Sequence, residues 1–255
     1  MTNLTVIIPV YNLDTEEKQN LFINAVNSVD DSKIFVVAPE YDILIVDKLK
    51  TNKMLKTIIN KTGNTSYVSQ VKLALKDVKT DYFSVLEYDD MFSKIWFKNV
   101  KDYIDNDIEN TFAFFPLTEV IDVKYGPQGY ANEAVWASSF SDELGCYDSQ
   151  CLEDYLNFNT SGAVFKTEDF NNLGGLKTSM KLTFWYEFLL RAAYKGKRMF
   201  VIPKIGYYHT IGREYSLSRF YGNNMSEDEA NWWIDLAKKE YFFPHDRNKT
   251  YQTEE

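Results

Sequence analysis

Three carboxylates stand within four positions in the segment YFSVLEYDDMF, residues 82–92. Glu87, Asp89 and Asp90 directly follow a short apolar run with the composition of a buried β-strand. Carboxylates this close together raise one another's pKa unless a cation lies among them, and oxygen ligands suit Mg²⁺ or Mn²⁺. The segment predicts a divalent-metal site or, as the alternative, a solvated acidic turn.

Strand-like and helix-like segments alternate along the first half of the chain. Short apolar runs predict strands at 4–10, 33–38, 54–59 and 82–86, and helical spacing predicts helices from residue 15, at 42–50 and at 67–78. This alternation predicts an α/β fold with a mostly parallel central sheet flanked by helices. Ligands of such sheets bind beyond the carboxyl ends of the strands, where Asn12 and the acidic segment fall.

The second half is less regular. Its pattern predicts helices at 96–104, 183–194 and 222–243, strands at 111–117, 163–166 and 199–203, and substrate-shaping loops over 122–159. The expected organisation is one domain over residues 1–220 and a C-terminal helical extension over 221–255.

Composition restricts the function classes. The net charge of −9 disfavours a broad basic face for nucleic acid, and no apolar run approaches the roughly 20 residues of a membrane helix. The N-terminus lacks the pattern of a signal peptide, so a cytoplasmic protein is expected. Cys146 and Cys151 have no accompanying Cys/His set for zinc and are interpreted as reduced structural thiols.

Three segments, TVIIPVYN, VLEYDD and GAVFKTEDFNNLGGLK, occur in an order that resembles the family 2 glycosyltransferases with the Rossmann-like GT-A fold. The resemblance covers roughly residues 3–210. It implies a glycosyltransferase that moves a sugar from a nucleotide-diphosphate sugar, such as a UDP-sugar, to an acceptor hydroxyl, with Mn²⁺ or Mg²⁺ as cofactor. VLEYDD takes the place of the family's metal-binding motif, with Glu87 in place of its first aspartate.

The resemblance also implies individual roles. The metal ligands would be Glu87, Asp89 and His209. The nucleotide-sugar contacts would be Pro9, Tyr11, Asn12, Glu40, Lys72, Glu87 and Arg213. The alternatives are that Lys72 is a solvated lysine on a helix, that His209 is a packed structural histidine and that Arg213 is a surface arginine.

The family's Glu-Asp pair, which contains the base, is replaced here by Phe184-Trp185. Glu187 is the nearest substitute for the base, although it lies four residues before Arg191 and could simply pair with it along the helix. Trp185 could instead form a stacking platform for the acceptor.

The acceptor is left open between a glycan and a hydroxymethylated DNA base of a viral genome. The chain could also be a non-catalytic module that binds sugar nucleotides or glycans. A nucleotidyltransferase ranks last, because TVIIPVYNLDTEE has no glycine-rich phosphate loop.

Overall fold

A computed structural model describes residues 3–30, 32–49, 51, 53–106, 110–139, 142–154, 158–214, 216 and 223–241. Within these ranges, none of the helices has both the length and the apolar character needed to cross a bilayer.

In the part of the chain that the structure describes, nine strands form one sheet. They are β1 (Leu4–Pro9), β2 (Lys33–Pro39), β3 (Leu55–Asn60), β4 (Tyr82–Val85), β5 (Met91–Phe92), β6 (Ala113–Asp122), β7 (Gly126–Ala131), β8 (Val164–Lys166) and β9 (Met199–Ile211).

Eight helices accompany the sheet, together with a 3₁₀ turn at Ala134–Trp136. They are α1 (Glu16–Ser28), α2 (Glu40–Lys48), α3 (Tyr67–Leu75), α4 (Trp96–Asp105), α5 (Ser149–Asp154), α6 (Thr167–Asn172), α7 (Phe184–Tyr194) and α8 (Glu227–Tyr241) among the described residues.

The strand order is β3-β2-β1-β4-β8-β6-β9-β5, with β7 on β6. The first four strands pair in parallel, as do β6 and β9, so six of the nine described strands have a parallel neighbour. Strand β8 joins the two parallel groups by antiparallel pairing with both β4 and β6. The predicted α/β class with a mostly parallel sheet is confirmed.

The sheet separates two apolar cores because successive side chains of a strand point to opposite faces. In β1, Val6 and Ile8 face α1, α2 and α4, whereas Ile7 faces α3, α5, α7 and α8. Both faces of β1 are buried, as its uninterrupted apolar sequence predicts.

The structure differs from the sequence prediction in the second half. The segment predicted as loops contains β7 and α5, and β9 continues eight residues beyond the predicted end at Pro203. The sequence GPQGYA of β7 has little intrinsic strand preference, so its conformation follows from pairing with β6. The longer β9 includes His209, which the sequence predicts as a metal ligand.

The C-terminal helix α8 packs against α7. The hydroxyl of Thr183, which precedes α7, donates a hydrogen bond of 3.0 Å to the backbone oxygen of Trp233. The helix predicted at 222–243 is confirmed over Glu227–Tyr241, but Met225 and Ser226 are not helical; residues 222 and 242–243 lie outside the described part. The domain boundary at residue 220 stays a prediction.

Candidate active site

The acidic segment forms a tight turn at the carboxyl end of β4. The backbone N–H of Asp90 donates to the oxygen of Glu87 at 3.1 Å, which closes a four-residue turn. The first and last residues of such a turn lie close together, so Glu87 and Asp90 converge. Their oxygens lie within 4.8 Å of a ring nitrogen of His209 and of each other.

His209 reaches the turn because β5, which begins directly after Asp90, pairs antiparallel with β9. The Nδ1 of His209 donates to one oxygen of Asp90 at 2.8 Å, and the backbone N–H of Thr210 donates to the other at 2.8 Å. Asp90 is buried, and each of its two carboxylate oxygens accepts a hydrogen bond. A cation bound between Asp90 and His209 would take the place of the proton that these two side chains share.

Glu87 is fixed from the opposite side of the turn. The Ser161 hydroxyl donates to its Oε1 at 2.5 Å, and its backbone N–H donates to the Tyr207 hydroxyl at 3.2 Å. Tyr207 is buried in the sheet, and burial together with the charges of Asp90 and Glu87 raises the pKa of its hydroxyl. The phenol of Tyr207 therefore lies close to both carboxylates.

Asp89 has a different partner. Arg213 donates through Nη1 to Oδ2 of Asp89 at 2.9 Å and to its backbone oxygen at 2.8 Å. Both side chains are largely buried, at 13% and 8% exposure. Among the described residues, the group that could hold a metal ion contains Asp90 and not Asp89. The ligand role expected for Asp89 stays a prediction.

Burial and mutual repulsion shape the electrostatics. Burial raises the pKa of all three carboxylates; the charge of Asp90 adds to this effect at Glu87, and the charge of Glu87 adds to it at Asp89. Burial opposes protonation of His209, but its bond to Asp90 and the nearby carboxylate charges raise its pKa to about 9.

This donor set fits a divalent cation. It combines two carboxylates with an imidazole, a set that Mn²⁺ accepts and that Mg²⁺ accepts less readily because of its preference for oxygen. The raised carboxyl pKa values indicate repulsion that a cation would relieve. The fit therefore rests on ligand type, spacing and charge together.

The loop after β1 is held by a residue that the sequence reading overlooked. Asp42 of α2 is buried and accepts hydrogen bonds from the backbone N–H groups of Asn12, at 2.7 Å, and Leu13, at 3.0 Å. Asn12 has a positive φ of 58°, a conformation that asparagine tolerates. Glu40, expected to contact the base, is exposed at the start of α2.

The chain direction brings this loop to the same sheet edge as the acidic turn. Strands β1 and β4 are parallel neighbours, and both end there. Pro9 ends β1, and Tyr11 is 54% exposed beside the edge. Lys72 is exposed on α3.

Glu187 lies in a buried ion-pair network. Its two oxygens accept from Nε and Nη2 of Arg191 at 3.0 and 2.8 Å, and Nζ of Lys177 lies 3.1 Å from Oε1. Arg191 also donates to the backbone oxygens of Leu173 and Gly175. Glu187 itself has no exposed surface. This arrangement matches the alternative interpretation, in which Glu187 pairs with Arg191.

Trp185 packs in an aromatic cluster. Its ring stacks on Phe165 with centroids 5.3 Å apart and planes 9° from parallel. It lies beside the hydroxyl of Tyr67, whose pKa is raised by burial and by the charge of Glu87. One face of the Trp185 ring therefore packs in the core. The edge of the ring lies beside Tyr67, which is close to Glu87 of the carboxylate site.

Solved structures of S. aureus TarS resemble this chain in three dimensions. TarS 1–349 in complex with UDP-GlcNAc is 17% identical over 94% of this chain and 66% of its own, with a TM-score of 0.67. Its complex with UDP is 18% identical over 95% of this chain and 67% of its own, with a TM-score of 0.63. A further TarS structure gives 20% identity and a TM-score of 0.58, and 38% of that chain is covered.

The chain has the GT-A fold. This confirms the fold predicted from the three sequence segments. No family model and no curated protein sequence matches the chain, which spans about two thirds of TarS 1–349.

Within this GT-A fold, sequence reasoning missed four polar residues around the site. Asp90 was seen in the acidic cluster but was not chosen as a ligand, and the hydroxyls of Ser161 and Tyr207 and the carboxylate of Asp42 were not considered. Asp42 carried a usable signal, because it is an acid on the apolar-spaced face of a short helix. Ser161 and Tyr207 carried none, since their contacts join positions 74 and 120 residues apart from Glu87.

Proposed function

We propose that this chain is a glycosyltransferase that binds a nucleotide-diphosphate sugar, with UDP-sugars as the expected donors, and moves the sugar to an acceptor hydroxyl. One observation carries the proposal. The ligand-like group Glu87, Asp90 and His209 lies at the carboxyl edge of a GT-A sheet, where ligands of open α/β sheets bind. The similarity to TarS in complex with UDP-GlcNAc supports the choice of donor.

Glu87, Asp90 and His209 would hold Mn²⁺ or Mg²⁺. When bound, the ion supplies positive charge for the diphosphate. Asp90 keeps the imidazole of His209 oriented, and Ser161 keeps the carboxylate of Glu87 oriented.

Arg213 would stabilise the departing diphosphate. Its guanidinium is held beside the acidic turn by the backbone oxygen and carboxylate of Asp89. These two contacts use Nη1, so the remaining N–H groups of the planar fork can donate to phosphate oxygens. Asp89 is then a positioning partner of Arg213.

The nucleoside would bind beside the loop after β1. Asp42 fixes the backbone of Asn12 and Leu13, so the exposed ring of Tyr11 extends from a rigid turn and can stack on a base. Glu40, at the start of α2, and Lys72, on α3, are both exposed and stay proposed contacts of the nucleotide.

We assign Glu187 to the stability of α7 and not to proton transfer, because both its oxygens are bonded and the residue has no exposed surface. Trp185 stays a proposed neighbour of the acceptor through its contact with Tyr67.

A glycan hydroxyl is the proposed acceptor. A DNA acceptor would require a basic groove for its phosphates, whereas the chain has a net charge of −9 and the site is surrounded by carboxylates. The modified viral base expected as an alternative from the sequence is therefore the less favoured substrate.

A ligand panel tests the proposal. The melting temperature is measured with UDP-, GDP- and dTDP-sugars, each with Mn²⁺ and with EDTA, because a ligand that binds only the native state raises the melting temperature. The expected result is a metal-dependent increase for one UDP-sugar and slow release of UDP from it. The Asp90→Asn variant should lose both effects.

The same panel distinguishes the rival classes. A metal-dependent increase without any UDP release or transfer over long incubation would favour the non-catalytic binding module. No increase with any nucleotide sugar would refute the proposed function. A surface variant, Lys98→Ala, provides the control, because Lys98 is exposed on α4, where it pairs with Asp102.

A further inference from the structure

The side chain of Asn132 is completely buried and uses its entire hydrogen-bonding capacity. Nδ2 donates to the backbone oxygens of Pro116 at 2.8 Å and Asn159 at 2.9 Å. Oδ1 accepts from the Tyr147 hydroxyl at 2.6 Å and from the backbone N–H of Asn159 at 2.7 Å. An amide has two donors and two acceptor positions, so every one is occupied.

Two of these bonds go to the same residue. The Asn132 amide both donates to and accepts from the backbone of Asn159, as a neighbouring β-strand would. Asn132 directly follows β7, and its φ of +73° lies in the left-handed region, which asparagine adopts more readily than other non-glycine residues. The surrounding bonds fix the side chain that this backbone conformation presents.

From Asn159 the contacts continue to the carboxylate site. The Asn159 side-chain oxygen accepts from the backbone N–H of Ser161 at 2.7 Å, and the Ser161 hydroxyl donates to Glu87 at 2.5 Å. The β7 end is thereby connected to Glu87 through three side chains. No member of this chain of contacts other than Glu87 was among the site residues predicted from the sequence.

The far side of the Ser161 segment is also fixed. Gly162 donates to the backbone oxygen of Val85 at 2.9 Å and accepts from Nε1 of Trp96 at 3.0 Å. Its φ is +77°, and a Cβ there would lie 2.4 Å from Cδ2 of Tyr207. Ser161 is therefore held between the Asn132 contacts on one side and β4 with α4 on the other.

We propose that Asn132 is a positioning residue that sets the Ser161 hydroxyl against Glu87 and so tunes the affinity of the site for a divalent cation and its bound nucleotide diphosphate. This inference rests on the proposed function. Hydrogen-bond partners of metal-ligating carboxylates act in this way, and their loss commonly weakens metal binding 10- to 100-fold.

The test uses two variants that interrupt the chain of contacts at successive points. Asn132→Ala removes the central amide, and Asn159→Ala removes only the acceptor for Ser161 and leaves the backbone bonds of Asn159 to Asn132 available. The second variant keeps the test valid if the first one fails to fold. Two quantities are measured: amide hydrogen exchange over residues 158–163, and the affinity for Mn²⁺ with UDP by calorimetry.

Thr80→Val is the matched control. Thr80 is buried, and its hydroxyl bonds to Tyr82 and Thr5 at the opposite end of the strands, at 2.8 Å each. It should lower the melting temperature without changing either exchange at 158–163 or the affinity.

The expected result is faster exchange at the Ser161 amide and at least about tenfold weaker affinity in both folded variants. Faster exchange with unchanged affinity would overturn the inference, and so would unchanged exchange. If the wild-type chain itself binds no Mn²⁺ with UDP, the proposed function fails and the inference fails with it. That result is recognisable before any variant is compared.

Discussion

Asp89 and Asp90 are adjacent in sequence, yet the structure gives them separable roles that asparagine substitutions can distinguish. Asp90 accepts from both His209 and Thr210, at 2.8 Å each. An asparagine amide offers one oxygen, so one donor loses its acceptor and faces an NH₂ group instead. We expect Asp90→Asn to weaken Mn²⁺ binding by about 100-fold or more, because it removes a carboxylate oxygen from the ligand group as well as the orientation of His209.

Asp89→Asn should act mainly on stability. Breaking a buried ion pair costs about 3–5 kcal/mol, but the amide oxygen can still accept from Arg213, so we expect the free energy of unfolding to fall by about 1–3 kcal/mol. Mn²⁺ binding should weaken by about tenfold at most, because the uncompensated charge of Arg213 then repels the cation through a partly screened medium.

The double variant Asp89→Asn/Arg213→Gln separates these effects. It removes both charges of the pair and should return Mn²⁺ affinity to within about twofold of wild type if Asp89 is not a ligand. Mn²⁺ is titrated in the absence of nucleotide, and its binding is measured by calorimetry or electron paramagnetic resonance. The free energy of unfolding is measured in parallel by urea denaturation. Affinity of the double variant as low as that of Asp90→Asn would refute the assignment and restore Asp89 as the ligand.

Three further perturbations test other parts of the reasoning. Gly162→Ala should lower the free energy of unfolding by about 1–3 kcal/mol in urea denaturation and also weaken Mn²⁺ binding, because of the positive φ and the close approach to Tyr207; an unchanged midpoint would contradict the geometry. Mn²⁺ affinity should increase between pH 6 and pH 8, by up to about tenfold per unit, because His209 with a pKa of about 9 must release a proton to ligate. Calorimetric titrations in buffers of different ionisation enthalpy measure how many protons are released on binding. Glu187→Gln should lower the free energy of unfolding by about 3 kcal/mol in urea denaturation, while UDP release per folded molecule is retained. If the variant is as stable as wild type but has no turnover, Glu187 is the base.

The fold could be predicted from the sequence where local and tertiary preferences agree. Strands β1, β2 and β4 are continuous apolar runs, and each predicted strand overlaps the observed one almost completely. Helix α1 begins one residue after Thr15, which caps it through the N–H of Lys18, as the Thr-Glu-Glu pattern indicates. In these segments the local preference and the burial in the sheet favour the same structure.

Prediction failed where pairing partners decide the conformation. The two-residue strand β5 and the Gly-rich strand β7 exist because β9 and β6 offer them hydrogen bonds. The extension of β9 past Pro203 to Ile211 depends on the same pairing. Without that extension, His209 has no defined distance from the acidic turn, although its identity as one of only two histidines drew attention to it.

Asp89 and Asp90 show why motif spacing alone does not determine which carboxylates converge in the fold. The sequence favours Glu87 and Asp89, because an acid-x-acid pattern resembles the family motif. The bond from the Asp90 N–H to Glu87 closes a turn that brings the first and fourth residues together instead. Arg213 then pairs with Asp89, and this contact between positions 124 residues apart is invisible in the local sequence.

The charges of their partners explain how three carboxylates can lie together at the end of a strand. Arg213 compensates Asp89, and a protonated His209 compensates Asp90, which leaves Glu87 with a neutral hydroxyl from Ser161. When His209 gives up its proton, the three carboxylates and one arginine carry a net charge of minus two. A divalent cation cancels that charge completely, whereas a monovalent one would leave a buried negative charge that is costly in this environment. The same reasoning explains why the folded protein tolerates these carboxylates before a cation binds. Until then, the proton on His209 supplies part of the positive charge that the cation supplies after binding.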